Sequence, residues 1–378
     1  MEEFTVSITA FGSTIPLTVI LVFIALVVGL LLAVSFYLTI GLSIYRSVKK
    51  SRRDRVRADL QTELLDRLFA ENPSWSEWVE GLTAVEREVV ESLLDEHLRE
   101  LDGGEAETLR ELGDALGIPE RASRRLDTGS EYAHLHTLTW LTLLHRPEPY
   151  LESSFEPETP RERAAVVALL QRTDSLPDET TGISILLDDI DSEFTVFGQD
   201  TLYRVARMDP EPLLRSATDA YDEWPESLLG QVLAVCAHLE TSVREGEFAW
   251  LIAVLETGNE ATRAAAAEAL ASFGWLDLIR KPVFLDRALR DPSPKVRAAI
   301  YQMLASWGDD TALTTLLDAL VEEDDPRALT IGTKLLVKKQ DRLETDPSEL
   351  LGTAWAWNVE HVAYDRLARQ GTCKRVQS

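Results

Sequence analysis

The sequence predicts an all-α protein, a single N-terminal transmembrane helix followed by an α-solenoid of helical hairpins. Three observations carry that prediction. Leu17 to Ile44 is an almost unbroken apolar run without a charge. Beyond it, apolar residues recur at helical spacing rather than in the alternation of strands. Finally, Arg263, Leu270 and Gly274 stand 34 positions before Arg297, Leu304 and Gly308, so at least two helices repeat.

Composition narrows what such a chain can do. Its 378 residues carry a net charge of −26 and a pI near 4.6, yet 45% of them are hydrophobic. Lysine is confined to Lys49, Lys50, Lys281, Lys295, Lys334, Lys338, Lys339 and Lys374, and arginine supplies the other positive charges. Such an acidic, lysine-poor composition resembles that of proteins from salt-accumulating organisms, in which dense carboxylates keep the surface hydrated. At molar salt the Debye length is about 3 Å, so this charge steers little at a distance. The acidity argues against nucleic acid as a partner, because that footprint needs a basic face. Cys236 and Cys373 stand far apart with no Cys/His cluster, so neither a structural disulfide nor a zinc site is expected.

In chain order, residues 1–16 read as a short extracytoplasmic tail and 17–45 as the membrane span. About 20 helical residues cross a hydrocarbon core, and this run exceeds that with room for tilt. The acidic residues Glu2 and Glu3 and the length of the run argue against a cleaved signal peptide. Gly29 and Ala33 form a small-xxx-small pair that would let two spans approach closely. Residues 46–58 form a basic juxtamembrane segment with Arg46, Lys49, Lys50, Arg52, Arg53, Arg55 and Arg57. By the positive-inside rule these place the rest of the chain in the cytoplasm, and each can add about 1 kcal/mol on anionic headgroups at low salt.

Residues 59–128 read as a helical linker and cap. Val56, Leu60, Leu64 and Leu68 step by four, giving a helix that Asn72-Pro73 breaks. Ser74-x-x-Glu77 and Thr83-x-x-Glu86 both fit the capping box. A helix from Val85 to about Leu101 follows, and the spacing of Trp75 and Trp78 suits a core. Leu109 to Leu126 has the outline of a helix-turn-helix, with Arg121, Arg124 and Arg125 on its second helix. Acidic flanks and the lack of a basic wing favour an ordinary hairpin over a DNA contact there.

Residues 129–378 read as the solenoid with a C-terminal cap. Helix starts near Pro160, Glu193, Pro225, Ala261, Pro294 and Pro326 lie 32 to 36 residues apart. Second helices fall between them, at Glu211–Tyr221, Glu247–Leu255, Leu276–Leu289 and Thr311–Val321. Thr159-Pro160, Asp209-Pro210, Asp291-Pro292, Asp325-Pro326 and Asp346-Pro347 pair a capping side chain with a proline. A two-helix unit recurring about every 33 residues means a solenoid, because each hairpin buries its apolar face only against its neighbours.

Asp291-Pro-Ser-Pro-Lys-Val-Arg297, followed by Ala298, Ala299, Leu304 and Gly308, resembles the inner helix of a HEAT repeat, of the short type found in phycobilisome-lyase-like proteins. The resemblance covers about residues 130–340. It implies a polar ladder between repeats that falls on Asp291 and Arg297. Arg263 matches the arginine, but Gly258, Asn259 and Glu260 replace the aspartate-containing turn, and the unit from Asp325 lacks the arginine.

Nothing in the sequence has the spacing of a catalytic site. Walker, GxSxG, HExxH and GxGxxG patterns are missing. His134 and His145 share a helical face but stand three turns apart, too far for one metal. Asp189, Asp191, Glu193 and Asp200 have part of a calcium-loop spacing, yet Phe194 occupies the place where the turn needs glycine. His97 and His361 sit beside acids as surface residues. The expectation is therefore a scaffold without enzymatic activity, cofactor or metal. It would sit at the membrane through its N-terminal helix and bind a protein partner, which can itself be a membrane protein. The alternative is a membrane-anchored regulator that contacts DNA through 109–126.

Overall fold

The computed structural model describes residues 7–10, 13–16, 26, 30–32, 34–37, 56–70, 72–239, 248–273, 277, 279–343 and 345–376. Within the expected tail, Ser7–Ala10 (β1) and Ser13–Pro16 (β2) pair antiparallel, with Ile8 opposite Ile15 and Thr9 opposite Thr14. This hairpin departs from the expected all-α fold, and its β-branched cross-strand pairs favour it. Most of the expected span at 17–45 lies outside the described residues, as do Arg46, Lys49, Lys50, Arg52, Arg53 and Arg55. Its described residues Leu26, Leu30, Leu31, Leu32, Val34, Phe36 and Tyr37 are helical and more than half exposed. Among the described residues no helix is long and apolar enough to cross a membrane.

The chain divides into two units, Met1–Ile118 and Pro119–Ser378. In the first, helix α1 covers 56–68 and is followed by α2 (Trp75–Gly81), α3 (Ala84–Glu100) and α4 (Gly104–Ala115). The four-residue step of Leu60, Leu64 and Leu68 buries all three, and Trp75 and Trp78 are buried with them. Arg67 lies 5.4 Å over the Trp78 ring, and Arg57 pairs with Glu96. Thr83 and Glu86 form the expected capping box. Ser74 does not. Its backbone is left-handed at φ 47°, and its amide donates to the Asn72 side chain, so its hydroxyl caps nothing.

The second unit begins ten residues earlier than the expected boundary at 128/129. Ala122 and Leu126 of α5 (Ile118–Thr128) pack with Leu138, Leu141, Val166 and Leu169, so α5 belongs to the helical stack. That stack has two layers. One consists of α6 (Glu131–Leu144), α8 (Pro160–Arg172), α10 (Val196–Met208), α12 (Glu226–Cys236), α14 (Glu260–Ala271), α16 (Pro294–Trp307), α18 (Pro326–Lys338) and α19 (Ser348–Val376), each packed on the next. The other holds α7 (Glu148–Leu151), α9 (Glu179–Leu187), α11 (Glu211–Ala220), α13 (Ala249–Thr257), α15 (Pro282–Leu289) and α17 (Asp310–Val321). A continuous core runs between the layers from Ala164 to Val362. This repeat-like packing of hairpins is that of an α-solenoid.

Local chemistry moves some boundaries. The third first-layer helix starts at Val196 rather than near Glu193, because the Gln231 side chain bonds both backbone groups of Phe194 and holds it outside the helix. Thr195 then becomes the cap. Leu276–Leu289 shortens to Pro282–Leu289, with proline in its first turn. Ser293, not Asp291, caps α16, and this frees the Asp291 carboxylate for other partners.

Close approach of layers depends on small residues. Buried Ala264, Ala266, Ala267 and Ala269 line α14, and Gly332 of α18 faces Leu320 and Tyr301. A Cβ at Gly332 would lie 2.4 Å from Leu320 Cδ2 and 2.9 Å from Tyr301 Cδ2. Gly332→Ala is therefore expected to cost about 1–3 kcal/mol by overpacking, although alanine favours the helix. A thermal midpoint equal to or above that of the parent would refute this close packing.

Candidate functional site

From α12 to α18 the first layer is held in register by two rows of polar contacts at its opposite ends. At the N-terminal ends, Arg263 donates to both Asp291 oxygens at 2.8 and 3.0 Å and to the Gly258 carbonyl at 2.9 Å. One repeat later, Arg297 donates to both Glu323 oxygens at 2.8 and 2.6 Å and to the Asp291 carbonyl at 2.8 Å. Each guanidinium thus ties its own preceding turn to the carboxylate of the next repeat. Asp325, the sequence equivalent of Asp291, caps α18 through the amides of Arg327 and Ala328 instead. Glu323 takes the pairing role from two positions earlier.

Glu323 is 1% exposed, and it also accepts from the Tyr301 hydroxyl at 2.5 Å and the Asp325 amide at 2.8 Å. Burial alone would raise its pKa. The donors, Arg297 first, outweigh burial and hold the carboxyl at about 2. Burial and the neighbouring Glu323 push the Tyr301 phenol up, and the same carboxylate raises Arg297. The row stops where its residues stop, since Leu229 and Ile331 stand 34 positions before Arg263 and after Arg297.

The second row went unread in the sequence. Ser272 donates to the Ala237 carbonyl at 3.0 Å, Ser306 to the Ala271 carbonyl at 3.5 Å, and Arg342 to the Gly308 carbonyl at 3.0 Å. Each contact satisfies a carbonyl at the C-terminal end of the preceding first-layer helix. The signal was present, because Ser272 and Ser306 share the 34-residue interval of Leu270 and Leu304.

With the helices so aligned, the exposed face of α14, α16 and α18 frames a groove of about 580 Å³. Ala264, Ala298, Ala299 and Ala328 give it a methyl floor, and Ile331, 46% exposed, stands at its edge. Glu260 and Glu268 line the α14 side, Lys295 lies on α16, and Arg327 on α18. The same three helices therefore present apolar floor and both signs of charge on one surface.

The remaining sequence candidates are engaged elsewhere. His134 Nδ1 lies 2.7 Å from Glu162 Oε1, and its ring packs 4.6 Å from that of Phe155. Glu162 is buried, which would raise its pKa, but His134 and the amides of Thr159 and Glu158 hold it below the usual carboxylate range. His145 ends α6 in a left-handed turn and accepts from Arg172 at 3.2 Å, so the two histidines serve separate contacts. Asp200 pairs with Arg204, and among the described residues no group of three or more metal-ligating side chains gathers. On α5, Arg121 is half-buried, and Arg124 and Arg125 are exposed. Cys236 is fully buried, and burial pushes its thiol up to about 12, so it remains protonated. Compared with known proteins, the chain matches no family model and no curated protein.

Proposed function

We propose that this protein is a membrane-tethered scaffold whose HEAT-like solenoid binds a protein partner on the face formed by α14, α16 and α18. The observation that carries this reading is the groove on that face. Three successive helices are held in register by half-buried ion pairs, and no described residue covers their shared surface. Rigid stacked repeats with an open face suit recognition of another chain.

The tether rests on residues 17–45 as a span and on Arg46, Lys49, Lys50, Arg52, Arg53, Arg55 and Arg57 as its cytoplasmic collar. The exposed apolar helical residues Leu26, Leu30, Leu31, Leu32, Val34, Phe36 and Tyr37 support it, because such a surface is costly in water and neutral in lipid. The full chain is expected to remain in the membrane pellet after alkaline carbonate extraction. Recovery in the supernatant would remove the tether. Chemical crosslinking in native membranes should then recover a specific protein with the intact chain, and failure to recover one would remove the scaffold.

A further inference from the structure

The groove distributes its charge by helix, and this points to what it takes. On α14 the wall is Glu260 and Glu268, four residues either side of buried Ala264. On α16 the lining includes Lys295, Ala298 and Ala299, and on α18 Arg327 and Ile331. Lys334 and Lys338 continue the α18 face at helical spacing from Arg327. Asp325 also lines the groove, and its Oδ1 accepts from the amides of Arg327 and Ala328. Among the described residues, the side chains of Lys295 and Arg327 make no ion pair. In a chain of net charge −26, these two cations on one surface lack the carboxylate partners that Arg263 and Arg297 have.

We propose that this groove receives an extended segment of the partner protein, acidic where it crosses α18, small and apolar over the alanines, and basic where it reaches α14. The proposal rests on the scaffold reading and names the chemistry of its partner. Charge complementarity carries it: Lys295 and Arg327 attract carboxylates, while Glu260 and Glu268 attract a cation at the segment's other end. Two interhelical steps of 8–10 Å each separate α14 from α18, so about six extended residues cover the crossing. A nucleic acid or an anionic membrane fits less well, because either would set phosphates against Glu260 and Glu268 and would use a methyl floor poorly.

The test titrates the detergent-solubilised full chain at low salt with a labelled octapeptide, Glu-Asp-Glu-Ala-Leu-Ala-Lys-Lys. An all-acidic version ending in Glu-Glu, a short DNA duplex and phosphatidylglycerol vesicles serve as comparisons. The mixed-charge peptide is expected to bind saturably and more tightly than the others. Lys295→Glu with Arg327→Glu should weaken it by about tenfold or more, since like charges would then meet. Adding Glu260→Lys and Glu268→Lys should restore binding, because the groove is then reversed as a whole. Unchanged thermal midpoints would show that the variants fold. No saturable binding, unchanged affinity in the double variant, or tighter binding of DNA, vesicles or the all-acidic peptide would overturn the proposal. Crosslinking of the same variants in native membranes separates the two ideas. A partner captured equally by parent and double variant removes the groove chemistry and leaves the scaffold, whereas no partner with the parent removes the scaffold.

Discussion

Replacing Glu323 with alanine is expected to lower the unfolding free energy by about 3–5 kcal/mol, the range for breaking a buried pair from one side. The change would leave the Arg297 guanidinium, 17% exposed, without its counter-charge, and would strip the Tyr301 hydroxyl and the Asp325 amide of their acceptor. Glu323→Gln keeps the shape and part of the hydrogen bonding, so it should lose less. A denaturant midpoint that falls with an unchanged slope would place the effect on the folded state. The pH dependence gives a second readout. Because the folded pKa is near 2 and the ordinary value is 4.5, the contribution is fully present above about pH 4.5 and is lost as pH falls toward 2. Parent and variant should therefore converge in acid. A loss below about 1 kcal/mol at neutral pH would mean that the pair does not tie α16 to the turn before α18.

Leu304→Ala is expected to cost about 2–5 kcal/mol, because the side chain is 0% exposed and its removal leaves a cavity that the surrounding helices fill only in part. Leu270, 34 positions earlier and equally buried, should lose a comparable amount when truncated. In a stack where each repeat touches only its neighbours, the damage should also be local. Amide exchange is expected to quicken most in α14, α16 and α18 and least in α6 and α8. A loss below about 1 kcal/mol would put these leucines outside the core and undo the repeat register.

Much of this architecture follows from local pattern. The 34-residue interval located α14 and α16, and Pro294 and Pro326 marked the starts of their helices because proline sits without loss in a first turn. Leu60, Leu64 and Leu68 declared a buried stripe by their spacing. Thr83 and Glu86 declared a cap. Errors arose where a side chain from elsewhere intervened. Gln231 lies 37 residues beyond Phe194, and no local signal says that it will hold that backbone out of a helix. Asp291, read as a cap and through the resemblance as a connector, leaves the cap to Ser293 and pairs with Arg263 of the preceding repeat.

The sequence by itself determined the helical character and the repeat interval, because helix periodicity and capping depend on neighbours within a few positions; the candidate connectors Arg263, Asp291 and Arg297 came from the resemblance to a known repeat. Only the tertiary structure decided which carboxylate meets which guanidinium. Glu323 replaced Asp325 in that role because one more methylene and a place in the preceding turn bring it to Arg297, a matter of distance between chain segments that no spacing encodes. The same is true of the groove. Its alanines, acids and bases belong to three helices spread over some 70 residues of sequence, and stacking alone turns them into one surface.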